Sequence, residues 1–268
     1  MYGKDNAVKG IAMLMLSLFS WLILGPVLSV AYSGIADPSS FLYSYIRIHI
    51  PFIVLFLALW MLSEPLMGKG LLGIAGITWP RDIAIPFAAQ IAVLAAFSLL
   101  EGKDIVFDAF LPLQVIPVIA ITSIQAFSEE IVFRALPMRI AYGEELPRDI
   151  RHSAVPVAAS GAVFLIAHLR NQEIALSSDA LFPIIYYAFW GASAMALSIR
   201  TGSFASSVAM HAANNIYIAL AVNYKGSTMP THALFLSLRS QSDILLLAKA
   251  AVSFITVYLV SRRTTCSR

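Results

Sequence analysis

Two adjacent carboxylates, Glu129 and Glu130, interrupt an apolar stretch at positions 115–139. A charge at the centre of a bilayer costs roughly 2.5–3.5 kcal/mol, so such residues normally face a protein interior or a wet cavity. Arg134 lies one helical turn after Glu130 and can pair with it, whereas Glu129 points about 100° away around the helix. Neighbouring carboxylates in low dielectric do not both ionise easily. The spacing predicts a structural carboxylate and a reactive one, or else an ion-paired helix end at the membrane surface.

Two further apolar segments carry side chains spaced by one helical turn. Phe164 precedes His168 by four residues, and His211 precedes Asn215 by four. An imidazole can act as a base, an acid or a metal ligand, and imidazole or amide groups can donate hydrogen bonds to a developing oxyanion. Taken alone, a histidine near a helix end such as His168 is more often a satisfied interfacial residue, and the His211–Asn215 pair is equally compatible with a polar contact between helices. The remaining polar residues in or near the apolar segments of the chain are interpreted as segment-end or packing residues, namely His49, His152, Gln90, Gln114 and Gln125.

The composition is that of a membrane protein. Of the 268 residues, 59% are hydrophobic and 12% are charged, about half the charged fraction of an average soluble domain. Basic residues are spread over many short loops, which argues against a nucleic-acid partner. The single cysteine, Cys266, excludes an internal disulfide and a cysteine-rich metal site.

Apolar runs of the length needed to cross a bilayer predict an all-α polytopic protein with about eight transmembrane helices. No loop is long enough for a soluble domain, so we expect one integral membrane domain over residues 1–268. Lys and Arg are more frequent on the side of the N-terminus, which predicts that both termini are cytoplasmic. The first run is too long for a signal peptide and is expected to be retained. The predicted segments are Ile11–Ala31, Ile48–Met67, Ile83–Leu100, Leu113–Phe133, Ala154–Leu169, Leu181–Ile199, Phe204–Val222 and Ile244–Val260.

The three motifs in this order, EExxxR, FxxxH and HxxxN, resemble those of the CAAX-protease and bacteriocin-processing family (CPBP, also called Abi). That family includes the type II CAAX prenyl endopeptidases, which are intramembrane proteases. The resemblance covers a core of about residues 113–222 and implies catalytic residues on helices four, five and seven. One departure is Ala135, where many members have glycine after the arginine.

The resemblance implies a role for each motif residue. Glu129, assisted by His168, would activate the attacking water, and His211 with Asn215 would stabilise the oxyanion. Glu130, held by Arg134, would support the pair, and Phe164 would pack beside His168.

A metal-dependent mechanism is the alternative to direct activation of water. Zinc accepts His and Glu ligands and can keep one position open for water, so Glu129, His168 and His211 are the candidate zinc ligands. The chain lacks the HExxH helix of soluble metalloproteases. The expected cofactor is therefore none or zinc.

The resemblance implies a membrane-associated peptide or protein substrate, such as a prenylated C-terminus, a leader peptide or a sorting signal. A proton- or cation-coupled transporter using the same carboxylates and histidines is the main alternative, although the chain shows no internal repeat of the kind many transporters have. A non-catalytic membrane scaffold is a third class.

Overall fold

The structure, a computed structural model, describes residues 4–40, 42–108, 111–144, 146–147, 150–175, 179–238 and 243–261. Cys266 lies outside this part of the chain. The residues group into two compact units. The first comprises Met1–Thr78 and Leu113–Leu146, and the second comprises Trp79–Pro112 and Pro147–Arg268.

Helices dominate both units. The first unit contains α1 (Lys4–Phe19), α2 (Gly25–Ile35), α3 (Tyr43–Met67), α4 (Leu71–Ala75), α6 (Val115–Glu130) and α7 (Leu136–Tyr142). The second contains α5 (Arg81–Glu101), α8 (Ile150–His168), α9 (Gln172–Ala175), α10 (Leu181–Thr201), α11 (Ala205–Leu220) and α12 (Ile244–Val260). Single π-helical turns at Ser20–Leu24 and Ile131–Ala135 join α1 to α2 and α6 to α7.

The all-α membrane architecture predicted from the apolar runs is confirmed. In the described part of the chain, five helical spans are long and apolar enough to cross a membrane. They are Asp5–Ile35, Tyr43–Met67, Arg81–Glu101, Pro112–Tyr142 and Leu181–Thr201, and His152–His168 and Ile244–Val260 are shorter apolar helices. The prediction of a single domain over residues 1–268 stays a prediction.

The second unit also contains a small sheet that the sequence reading did not anticipate. Its strands are β1 (Ile105–Phe107), β2 (Val222–Tyr224) and β3 (Phe235–Ser237). The central strand β3 pairs antiparallel with β1 and parallel with β2. The seventh predicted segment was therefore too long, because the helix ends at Leu220 and Val222 already belongs to a strand. Strands of three residues are too short to produce a period-two pattern in the sequence.

Packing in the first unit places α3 against both α1 and α6. A Cβ atom on Gly25 would lie 2.5 Å from Cα of Pro51, so only glycine permits this close approach of α2 to α3. The Tyr45 hydroxyl hydrogen-bonds the Thr122 hydroxyl, and the Trp21 ring meets the Phe133 ring edge-on at 5.6 Å. These contacts fix the first motif helix against its neighbours.

In the second unit α8 packs against α10, and α11 packs against α5 and α10. The core includes Phe164, Trp190, Leu197 and Met210. The Tyr217 hydroxyl donates to Ser98 Oγ at 2.9 Å, which connects α11 to α5. The helices that carry the second and third motifs are therefore held in one apolar core.

Candidate functional site

The first motif lies at the end of α6 and in the π-helical turn that follows it. Glu129 is 2% exposed, and Glu130 and Arg134 are fully buried. Arg134 donates from a guanidinium nitrogen to Glu130, which confirms the ion pair expected from their spacing. A π-helical turn within an α-helix is rare and often marks a functional site, and Arg134 projects from this one.

Glu129 has a different set of neighbours from Glu130. Gln125, one turn earlier, donates from Nε2 to Oε1 of Glu129 at 3.0 Å. Oε1 of Gln125 in turn lies 2.9 Å from Nε2 of His49 on α3. The two adjacent carboxylates therefore have different environments. Glu130 pairs with the Arg134 cation, whereas Glu129 accepts from an amide that in turn contacts an imidazole.

The sequence reading missed His49 and Gln125, which it treated as segment-end and packing residues. His49 lies inside α3, not at its end, and is 2% exposed. A signal was present in the sequence, because Gln125 and Glu129 have the same four-residue spacing as the motif pairs. The partner on α3 left no such signal, because residues 49 and 125 meet only through tertiary packing.

Arg139 anchors the end of α7. Its guanidinium donates to the carbonyl oxygens of Ile74 at 3.0 Å, Gly143 at 3.3 Å and Glu144 at 2.6 Å. Ile74 lies in the last turn of α4, where carbonyl groups have no partner within the helix, so this arginine caps α4 and ties α7 to it. The helix that follows the first motif, α7, is consequently held at its C-terminal end.

His168, half-buried at the end of α8, is oriented by its neighbours. Its Nδ1 donates to the carbonyl oxygen of Phe164 at 2.7 Å. The Tyr187 ring stacks on the imidazole at 4.7 Å between centroids, and Asn171 donates to the Tyr187 hydroxyl at 2.9 Å. Because Nδ1 carries the hydrogen, Nε2 is the nitrogen that can accept a proton or bind a metal.

Two glycines allow α8 and α10 to approach closely beneath Phe164. A Cβ atom on Gly191 would lie 2.6 Å from both Cβ of Phe164 and the carbonyl oxygen of Ser160. On the other helix, a Cβ atom on Gly161 would lie 2.7 Å from the carbonyl oxygen of Ala188. Small residues at such crossings are typical of membrane helix pairs, and here they determine where Phe164 and His168 sit.

The third motif lies inside α11 and is buried, with His211 3% and Asn215 9% exposed. The Phe164 ring meets the His211 ring edge-on at 5.7 Å. Asn214 donates from Nδ2 to Oδ1 of Asn215 at 3.2 Å. This contact uses the carbonyl end of the Asn215 amide.

The end of strand β2 and the loop that follows it are held by Glu173 of α9. The Glu173 carboxylate accepts from the Tyr224 hydroxyl at 2.6 Å, from the Thr228 amide at 3.0 Å and from the Thr228 hydroxyl at 2.6 Å. Burial and the nearby Glu173 carboxylate raise the pKa of Tyr224 well above its ordinary value. The segments that follow the second and third motifs are thereby joined outside the membrane spans.

The second and third motifs come together within one unit, as the positions of Phe164, His168 and His211 show. The first motif belongs to the other unit. Among the described residues no group of three or more His, Cys, Asp and Glu side chains is arranged to hold a metal ion. The predicted catalytic roles and the zinc alternative stay predictions.

Buried carboxylates and imidazoles on long apolar helices define an integral membrane protein with ionisable groups of the kind that hydrolysis requires. Residues 111–217 match the model of a protein family described as type II CAAX prenyl endopeptidase Rce1-like. All three motifs fall within this stretch, so the resemblance inferred from them is confirmed. The match supports intramembrane protease activity in general, on a peptide in a membrane. Comparisons with curated proteins and with solved structures gave no match.

Proposed function

We propose that this chain is an intramembrane endopeptidase that hydrolyses a peptide bond in a membrane-associated peptide or protein. The observation that carries the proposal is the family match over residues 111–217, which contains all three motifs. The environments of the two carboxylates also support it, because Glu130 is paired with Arg134 whereas Glu129 accepts from a neutral amide.

In the proposed first step, Glu129 takes a proton from water as the water oxygen bonds to the scissile carbonyl carbon. Positioned acid–base groups of this kind contribute about 10²–10⁴-fold to rate. His168 assists through Nε2, the nitrogen that its hydrogen bond to Phe164 leaves without the proton. Glu130 pairs with Arg134 and neutralises the guanidinium charge within the apolar helix.

The tetrahedral intermediate carries a negative oxygen that needs hydrogen-bond donors. His211 and the NH₂ group of Asn215 supply them, and losing one such donor typically costs about 10²–10³-fold. The intermediate then collapses: the carbon–nitrogen bond breaks, and the proton held by Glu129 passes to the leaving amine. Water is consumed, and a carboxylate and an amine are the products.

A zinc-dependent version remains the alternative mechanism. Glu129, His168 and His211 have the donor atoms that zinc prefers, and a bound zinc ion would supply Lewis-acid activation of water. The direct mechanism is preferred because Asn215 is a poor zinc ligand but a suitable oxyanion donor.

The substrate is proposed to be a prenylated C-terminus, a leader peptide or a sorting signal. The match to a family of type II CAAX prenyl endopeptidases favours a prenylated CAAX sequence as the first probe. Both termini are proposed to lie in the cytoplasm, on the evidence of the Lys and Arg distribution.

The test is cleavage of a fluorescence-quenched farnesylated CAAX peptide by the purified full-length protein in liposomes. Glu129→Gln, His168→Ala and His211→Ala should each lower kcat by at least about 100-fold. Matched controls are Glu64→Gln and His152→Ala, which change exposed residues of the same types on α3 and α8. Both controls should retain normal activity.

Leader and sorting-signal peptides are assayed in parallel with the prenylated peptide. Wild-type cleavage by all three motif variants would overturn the protease proposal. Cation flux into the liposomes that depends on Glu129, without cleavage of any of these peptides, would favour a transporter.

A further inference from the structure

A chain of three hydrogen-bonding side chains runs from α3 to the end of α6. His49 contacts Gln125 through Nε2 and Oε1 at 2.9 Å, and Gln125 contacts Glu129 through Nε2 and Oε1 at 3.0 Å. The far side of the imidazole is also engaged, because Nδ1 lies 2.7 Å from the carbonyl oxygen of Tyr45. His49 lies outside the stretch that matches the protease family.

The hydrogen bonds between these three side chains all point toward the carboxylate of Glu129. His49 donates to the carbonyl end of the Gln125 amide, and the NH₂ end of that amide donates to Glu129. This direction presents Glu129 as an acceptor, the state in which a carboxylate can act as a base.

The groups on either side of the Gln125 amide, His49 and Glu129, determine its orientation. Rotating it by half a turn would place its NH₂ group toward His49 and its carbonyl oxygen toward the carboxylate oxygen of Glu129, where two acceptors would face each other. His49 favours the observed orientation by donating to the carbonyl end. The imidazole therefore acts on the carboxylate only through the glutamine.

We propose that Gln125 and His49 are positioning residues for Glu129, with Gln125 holding Oε1 and His49 fixing the orientation of the Gln125 amide. The proposal rests on the proposed function of Glu129 as the base for peptide hydrolysis. By holding one carboxylate oxygen, Gln125 limits rotation of the group and determines where its second oxygen points.

The first experiment removes the hydrogen bond while keeping the size of the side chain. Gln125→Met should lower kcat for cleavage by about 10- to 100-fold, the effect of losing a hydrogen bond to a charged group, with KM changed less than about twofold. The matched control is Gln90→Met on α5, because the Gln90 amide is buried and makes no hydrogen bond within the described residues. Gln90→Met should leave both constants unchanged.

The second experiment tests whether His49 acts through Gln125. His49→Phe in the wild-type chain should lower kcat by about 3- to 30-fold, since the amide loses its fixed orientation. In the Gln125→Met background the same change should have less than about a twofold effect, because nothing remains for His49 to orient. Such a double-mutant cycle isolates the coupling between the two residues. His49→Gln, which keeps a donor, should restore part of the activity.

The results separate three possibilities. If Gln125→Met retains full activity while Glu129→Gln is inactive, the positioning proposal is wrong and the protease proposal stands. If Glu129→Gln is itself active, the proposed function fails. If His49→Phe lowers kcat equally in both backgrounds, or only lowers the melting temperature, His49 is a packing residue and does not position Glu129.

Discussion

The imidazole of His168 donates from Nδ1 to the carbonyl oxygen of Phe164, one turn earlier on the same helix, at 2.7 Å. The Phe164 ring lies against the imidazole at 4.1 Å between centroids. The FxxxH spacing therefore has two effects: the backbone of residue 164 selects the tautomer of His168, and its side chain restrains the ring. A motif residue without chemistry of its own thus determines which nitrogen of His168 carries the hydrogen.

Tyr187 should matter through its ring rather than its hydroxyl. Tyr187→Phe keeps the stack on His168 and should change kcat by less than about threefold. Tyr187→Leu removes an aromatic contact of about 0.5–1.5 kcal/mol and should lower kcat by up to about 10-fold. Tyr32→Leu, which breaks another ring stack at 5.7 Å, is the control for kcat. Equal kcat values for Tyr187→Leu and wild type would show that the stack does not orient His168.

Breaking the Glu130–Arg134 pair should destabilise the protein strongly. Glu130→Gln removes the carboxylate from a fully buried guanidinium and should lower the free energy of unfolding by about 3–5 kcal/mol. The double change Glu130→Gln with Arg134→Met should cost less than Glu130→Gln alone, because no buried cation remains. Denaturant titration of the purified protein measures both.

The ion pair of half-buried Lys69 with exposed Glu144 is the control for this prediction. Glu144→Gln should change the free energy of unfolding by no more than about 1 kcal/mol. A double variant as unstable as Glu130→Gln alone would show that the arginine charge is not the source of the loss.

Gly191→Ala should disturb the second motif. The added methyl group would meet Phe164 and the Ser160 carbonyl oxygen at 2.6 Å, and overpacking of this kind costs about 1–3 kcal/mol. We expect a lower melting temperature and lower kcat, since Phe164 orients His168. Gly34→Ala is the matched control, because no atom lies within 4 Å of its added Cβ. That variant should be neutral or slightly more stable.

Alkaline pH should destabilise the protein through Tyr224. The pKa of Tyr224 is raised by burial and by Glu173, so above about pH 10 the unfolded chain loses this proton while the folded chain keeps it. The stabilisation is complete below that pH and declines as pH rises toward the folded-state pKa. Melting temperatures from pH 8 to 11 should fall less steeply for Tyr224→Phe than for wild type. Parallel curves would contradict this assignment.

Chelation and metal analysis distinguish the two proposed mechanisms. For direct activation of water, the purified protein should contain less than stoichiometric zinc and should keep its activity in the presence of a chelator. Stoichiometric zinc whose removal abolishes cleavage, and whose return restores it, would instead assign Glu129, His168 and His211 as ligands. His152→Ala serves as the control for metal content.

The sequence alone determined the membrane class, the helical architecture and the motif residues. Long apolar runs are local properties of the chain, and the four-residue spacing of Glu130 with Arg134 and of Phe164 with His168 is geometry within one helix. Such features can be recognised from the sequence, because a helix brings residues four positions apart onto one face. Four predicted segments agree with the helix limits to within two residues at both ends, namely Ile83–Leu100, Leu181–Ile199, Phe204–Val222 and Ile244–Val260.

Tertiary structure decided what these residues contact. The hydrogen bond from His49 to Gln125 joins residues 76 positions apart, and the Tyr187 stack on His168 joins two helices. The close approach at Gly191 and the three short strands depend likewise on packing between distant segments. A single sequence contains no periodicity that encodes such pairings. The spacing to Arg134 therefore distinguished the two glutamates only in part. Their separate partners, an arginine for Glu130 and a glutamine held by a histidine for Glu129, became visible in the folded chain.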